Sequence, residues 1–369
     1  MRYMKSRNYG IDFLRIISMF MVVILHILGQ GGILKASEFM SANYIAGWLF
    51  EIASYCAVNI FALISGYVMC HSKPRISKLS ELWLQVAFYS VSLAVLFFFL
   101  KPETYNSATL LDASFPVTKK QYWYISAYFG MYLLTPLLNA VIKNVSKKTF
   151  TLSLFSCFFV LSVLPTVLKT DAYGFKGGYT LIWLCLLYLV GGYMKQFDVV
   201  ERAKRSTGWW LYIGSVIFTW LFKVGLDYAS IRTSETAQYS GMFISYTSPT
   251  IILAAIGIFI GCAKMNFSKI SSRLISWFAP AALGVYLIHV CPPIWNNVIK
   301  GFSAGYAEHT TAKMLLFLFA SAMVIYCLCT LIELLRIVLF KLFRIKALCI
   351  KLDTALTNLF GKLYEKLFL

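Results

Sequence analysis

The sequence predicts an all-α fold, a bundle of about ten membrane-spanning helices with both termini in the cytoplasm. Three observations lead there. Hydrophobic residues make up 59% of the 369 residues and charged ones only 13%, and mean hydropathy is +0.72, a composition foreign to soluble globular domains. Apolar windows recur along the whole chain, and charge is concentrated between them. They fall at residues 11–29, 46–70, 79–100, 122–142, 150–168, 179–195, 208–226, 247–263, 275–299 and 313–340, most near the roughly 20 residues a spanning helix needs. With the N-terminus inside, the inner segments (Arg2, Lys5 and Arg7 first; Lys73, Arg75 and Lys78 next; Arg336 onward last) carry 23 basic residues. The outer loops carry 10, among them Lys35, Lys223 and Lys313. Basic residues favour the cytoplasmic side, so the alternation fixes the orientation.

The formal charge of +19 belongs to this pattern and to contact with anionic lipid; no nucleic-acid partner is expected. The basic N-terminus precedes a full-length apolar segment without a small-residue cleavage site, as in a retained first span. Nine cysteines include no CxxC pair, so neither a metal site nor a disulfide framework is expected. Residues 1–340 form the membrane domain. Residues 341–369 form a tail with Leu348, Leu352, Leu356, Leu359 and Leu363 at helical spacing among Lys346, Lys351, Lys362 and Lys366, an amphipathic cytoplasmic helix suited to the inner leaflet. No internal repeat stands out, which weighs against a transporter built from inverted halves.

Chemistry must then come from the spans and their mouths. Arg15 and His26 lie eleven residues apart in the first span. That spacing puts both on nearly one helix face, about 16 Å apart along the axis. Ionisable groups inside a span are expensive and are functional candidates. Asp12, three residues before Arg15, can pair with it. A guanidinium facing an inner cavity suits a phosphate, and an imidazole toward the outer end can exchange protons at neutral pH. Lys73, Arg75 and Lys78 are either flanking charges or a landing site for phosphates. Ser65 and Gly66 permit close approach of a ligand or of another helix. Glu51 near the outer end of the second span either reaches the interface, orients His26 or binds a sugar hydroxyl; Asn59 in the same span, and Trp123 and Tyr124 at the start of the fourth, are candidates for contact with a sugar; His289 is either a second active-site group or a helix-end residue. Glu333 is placed to pair with Arg336. His71 and His309 carry no signal.

The run Gly10-Ile-Asp12-Phe-Leu-Arg15, with ten residues before His26, resembles the opening motif of acyltransferase family 3, integral membrane proteins that O-acylate cell-surface glycans. Asn59-Ile-Phe61-Ala-Leu-Ile-Ser65-Gly66-Tyr67 is similar to its Phe-x-x-x-Ser-Gly-aromatic signature. Tyr122-Trp123-Tyr124-Ile125 continuing to Tyr132-Leu-Leu-Thr-Pro136-Leu-Leu-Asn139, and Gly284-Val-Tyr286-Leu-Ile-His289, resemble two later motifs. The four occur in the family's order over residues 10 to about 335. One departure is Lys73-Pro74-Arg75-Ile-Ser-Lys78, where relatives often carry two arginines three apart; lysine keeps the charge and loses the planar fork. Another is that no secreted esterase-like domain follows the last span.

The resemblance implies an O-acetyltransferase of a bacterial-type plasma membrane, taking an acetyl group from cytoplasmic acetyl-CoA to a surface polysaccharide or lipid-linked glycan outside, without a metal. It implies that Arg15, with Asp12, Arg75, Lys73, Lys78, Ser65 and Gly66, holds the donor. His26 then serves as general base or acyl carrier, and Glu51, Asn59, Trp123, Tyr124, Tyr286 and His289 face the acceptor. A transporter of a glycan or lipid-linked intermediate is the competing expectation.

Overall fold

The computed structural model describes residues 7–368, with backbone alone for Ser234 and 360–368. Arg2 and Lys5, and the side chains of Lys362, Leu363 and Lys366, lie outside the described residues. The chain is 79% helical, with no strand among the described residues. The main helices are α1 (Tyr9–Leu28), α2 (Ala42–Tyr55), α3 (Ala57–Met69), α4 (Ile76–Leu100), α5 (Trp123–Asn144), α6 (Lys147–Leu168), α7 (Leu181–Gln196), α8 (Arg205–Ser230), α9 (Pro249–Ala263), α10 (Lys269–Phe278), α11 (Ala282–His289), α12 (Thr311–Leu342) and α13 (Ile345–Phe368).

Among the described residues, eight segments are long and apolar enough to cross a membrane: α1 with its extension to Ala36, α2 with α3, α4, α5, α6, α8, α10 with α11, and α12. The windows expected at 179–195 and 247–263 are shorter helices, α7 and α9, of 16 and 15 residues. At 1.5 Å per residue they reach about 24 and 22 Å, less than a hydrocarbon core of about 30 Å. Both are packed inside the bundle, α7 against α3 and α5, and α9 against α8 and α1.

Helix α1 is the hub. It touches α2, α3, α9, α10, α11 and α12, and its apolar side chains from Ile11 to Leu28 are mostly buried. Asn8 fastens its first turn, accepting from the Ile11 amide (3.1 Å) and donating to the Ala263 carbonyl at the end of α9 (3.1 Å). Between α3 and α7 the backbones meet at glycines. A Cβ at Gly66 would collide with the Tyr188 carbonyl, and one at Gly191 with the Leu63 carbonyl, the small-residue contact that lets membrane helices approach closely.

Three sequence expectations are corrected. The window 275–299 is not one helix: Pro280 sits in a 3₁₀ turn between α10 and α11, and α11 ends at His289, ahead of Cys291-Pro292-Pro293. Proline lacks an amide donor and crowds the preceding turn, so the chain breaks where these residues fall. The second window is likewise interrupted, at Cys56. Lys223, counted among outer-loop charges, is buried within α8. Its Nζ is 2.6 Å from Asp227 one turn on and 4.2 Å from the Trp48 ring centroid, and Tyr44 donates to the same carboxylate at 2.8 Å. The i, i+4 pair neutralises itself, so the helix continues where a free lysine would have ended the apolar span.

Glu333 on α12 is fully buried and accepts from Tyr89 (2.6 Å) and Gln85 (3.0 Å) of α4 and from Arg336 on both carboxylate oxygens. A Cβ at Gly284 would collide with that carboxylate, so glycine is what lets α11 lie against it. After α12, Arg344 adopts a left-handed conformation (φ 52°) and turns the chain back, and α13 packs along α4.

Lys223→Met strands Asp227 in an apolar setting and should cost about 3–5 kcal/mol. Lys223→Met with Asp227→Leu should recover most of it. Unfolding midpoints of the purified protein in detergent measure both; equal losses in the single and double variants would contradict the pairing.

Candidate active site

A cavity of about 540 Å³ runs along the face of α1 that carries Arg15 and His26. Both side chains line it, together with Met19 and Val22 between them, Ser65 and Phe61 of α3, and Tyr124, Tyr128 and Tyr132 of α5. Those tyrosines follow one another at i, i+4 and i+8, the spacing of a single helix face.

At one end are Lys73, Arg75 and Lys78 with Arg15. The Asp12 carboxylate, buried, is 2.5 Å from both Arg7 and Arg15. It anchors the Arg15 guanidinium, which remains 32% exposed. The loop that carries Lys73 and Arg75 is held by α5. The Tyr132 hydroxyl accepts from the Arg75 amide and donates to the Arg75 carbonyl, each at 3.1 Å. Asn139 donates to the Met69 and Ser72 carbonyls at 3.1 Å and accepts from Tyr188 at 2.7 Å. The Tyr132 to Asn139 motif thus acts here as a clamp on the basic loop, which its sequence alone did not reveal. Lys78 pairs with Glu81 at 3.0 Å, while Lys73 and Arg75 are exposed at the mouth.

At the other end His26 meets His289. His26 Nδ1 is 2.8 Å from His289 Nε2, and His289 Nδ1 is 2.5 Å from the Val285 carbonyl. A carbonyl only accepts, so His289 carries its proton on Nδ1. In the neutral pair its Nε2 is therefore the acceptor, and His26 donates from Nδ1. The unprotonated nitrogen of His26 is then Nε2, left to the cavity. Trp295 packs edge-on against the His26 ring at 4.7 Å. Neither the 263-residue separation of the two histidines nor Trp295 in the broken ninth window had a local signal in the sequence.

Aromatic rings close over this end. Trp123 and Tyr246 line the cavity, and Tyr179 packs on both, at 4.4 and 5.0 Å. The Tyr124 hydroxyl, buried, has no hydrogen-bond partner among the described residues. Tyr286 also lines the cavity, with its ring 6.3 Å from that of His289.

The remaining candidates lie elsewhere. Asn59 is buried and donates to the Tyr246 carbonyl at 2.8 Å while accepting from Trp183 at 3.3 Å. It supports the aromatic cluster without lining the cavity. Gly66 faces α7. Glu51 also stands outside the lining, within electrostatic reach of Tyr55 and Tyr246, and its buried Oε2 has no partner among the described residues. The group that meets His26 is His289. Among the described residues no three His, Cys, Asp or Glu side chains gather as metal ligands.

The sequence profile described as "Acyltransferase domain" matches residues 8–334, which include every side chain of this cavity. The chain belongs to acyltransferase family 3. No curated protein and no solved structure matches it. Membership makes this multi-pass membrane protein an acyltransferase that takes an acyl donor and an acceptor, and each of the four motifs sends side chains into one cavity, with Arg15 and the basic loop at one end and His26 at the other.

The imidazole geometry is directly testable, because the chain has only four histidines. With ¹⁵N-labelled histidine in lipid nanodiscs above the imidazole pKa, His26 should give the Nδ1-protonated neutral tautomer. In His289→Ala that signal should lose its preference. A wild-type His26 protonated on Nε2 would contradict the assignment.

Proposed function

We propose that the protein is an O-acetyltransferase of a bacterial-type plasma membrane, moving an acetyl group from cytoplasmic acetyl-CoA to a hydroxyl of a surface polysaccharide or lipid-linked glycan on the outer face. The observation that carries this reading is the single cavity joining a cationic mouth to a histidine about 16 Å along the same helix. The orientation follows the basic residues: the Lys73 to Lys78 end faces the cytoplasm.

Arg15, Arg75 and Lys73 hold the donor's pyrophosphate, and the pantetheine arm runs past Ser65 toward His26. Guanidinium and ammonium groups at an open mouth bind phosphate strongly while the arm lies among apolar and tyrosyl side chains. The acceptor approaches from the aromatic end, where Trp123, Tyr179 and Tyr246 offer faces for a sugar ring.

In the reaction His26 Nε2 takes the proton of the acceptor hydroxyl while its oxygen attacks the thioester carbonyl. The negative charge that develops on the carbonyl oxygen is met by the Tyr124 hydroxyl. The carbon–sulfur bond then breaks, and the departing thiolate takes the proton from His26, leaving an ester and free CoA. His289 holds the His26 ring by accepting from Nδ1, and that hydrogen bond strengthens when His26 is cationic. A transporter of a glycan without acyl chemistry would have no use for a base so oriented.

A deletion strain complemented with His26→Ala should make the full glycan and lack one acyl mass. Wild type should restore the mass, and mild alkali should remove it. Turnover of the purified variant should fall about 10²- to 10⁴-fold, the usual contribution of a positioned base. His289→Gln keeps an acceptor near the Nε2 position and should lose less than His289→Ala. Loss of the glycan itself would instead indicate transport.

A further inference from the structure

We propose that α13 forms the outer wall of the donor site and binds the nucleoside end of the CoA molecule. This rests on the donor reading above and extends it to a helix beyond the matched residues, which end at 334.

A second groove, of about 790 Å³, lies between the basic loop and α13, lined on one side by Ser72, Lys73 and Arg75 and on the other by Asp353, Thr357 and Asn358. Ser72, Lys73 and Arg75 line the main cavity as well, so the two spaces adjoin at the side chains assigned to the phosphates. A donor whose acetyl group reaches His26 and whose pyrophosphate rests on Arg15 and Arg75 must carry its adenosine beyond Arg75. The groove is what lies there.

Its chemistry divides in the same way. Lys73 and Arg75 suit phosphate. Asp353 and Asn358 supply acceptors for ribose hydroxyls or the adenine amine, and Asn358 also a donor, while Pro74 and Ile76 give an apolar floor. The helix is seated for the purpose. Cys349 is 2% exposed against the bundle. At 100° per residue Asp353, Thr354, Thr357 and Asn358 share one face, and the exposed Leu348, Leu352 and Leu359 share the opposite one. The amphipathic pattern of the tail therefore has two partners, lipid for the leucines and the groove for the polar face.

The test uses the full-length protein in nanodiscs carrying Asp353→Ala, Thr357→Ala and Asn358→Ala together, three changes on the groove face that leave Cys349 in place. Acetyl-CoA is compared with S-acetylpantetheine, a thioester without the nucleotide, and binding of 3′,5′-ADP is measured separately. KM for acetyl-CoA should rise about tenfold at unchanged kcat, as expected when the hydrogen bonds to the ribose and adenine are lost. KM for S-acetylpantetheine should not move, and 3′,5′-ADP should bind about tenfold more weakly. Equal changes with both thioesters, or none with either, would overturn the role of α13. If the wild-type protein uses neither thioester, the donor reading itself fails and this inference falls with it.

Discussion

Helix α1 has no lipid-facing side to give away, and that constraint orders the rest of the molecule. Six other helices pack against it, so each charged or titratable group within it must be satisfied by protein or open onto a cavity. A charged side chain at the centre of a spanning helix costs about 2.5–3.5 kcal/mol on insertion scales. Asp12 offsets this for Arg15 within the helix. His26 has no partner on α1 and depends on α11. The side of α1 that is not packed shut is the side on which both groups stand, and the cavity is the space those two polar groups keep open.

That arrangement separates two kinds of electrostatics. At the mouth the cations are exposed or half-exposed, where phosphates can reach them and where water and salt moderate their field. The His26 ring instead meets another imidazole, itself held by a carbonyl, and an aromatic edge. An imidazole in such a place keeps its lone pair available to the cavity instead of surrendering it to a nearby acid. The clamp from Tyr132 and Asn139 serves the mouth in a parallel way, because it fixes the loop's backbone and leaves the Lys73 and Arg75 side chains exposed.

Much of this was legible in the sequence because it was local. Apolar windows, basic loops and the eleven-residue spacing all report on one helix at a time, and each of the ten windows holds apolar helix in the structure. The failures came where two elements decide together. Lys223 read as a loop charge because hydropathy cannot see Asp227, Tyr44 and Trp48 gather around it. The ninth window read as continuous because Pro280 interrupts an otherwise apolar run. Glu51 and His289 both looked like companions for His26. Only the packing of α11 beside α1 shows which one reaches it, since a residue's depth along its own helix says nothing of the helix it faces.

The position of His289 is set in turn from the opposite side of α11. That helix is only eight residues long, too short to hold its own geometry in isolation, and it lies between a proline turn and a proline pair. What fixes it is contact: Gly284 against the Glu333 carboxylate on α12, and the Leu287 carbonyl accepting from Tyr122 at 3.1 Å. Glu333 is itself bound by Tyr89, Gln85 and Arg336, so removing any one leaves the others to hold it. From Gly284 to His289 is about one and a half helical turns. The buried carboxylate near one end of the bundle therefore sets the register that brings one imidazole to the other. Its burial is understandable as placement: a buried ion pair is weak support for stability, and here the carboxylate is held from α4 and α12 at the point where Gly284 lets α11 lie against it.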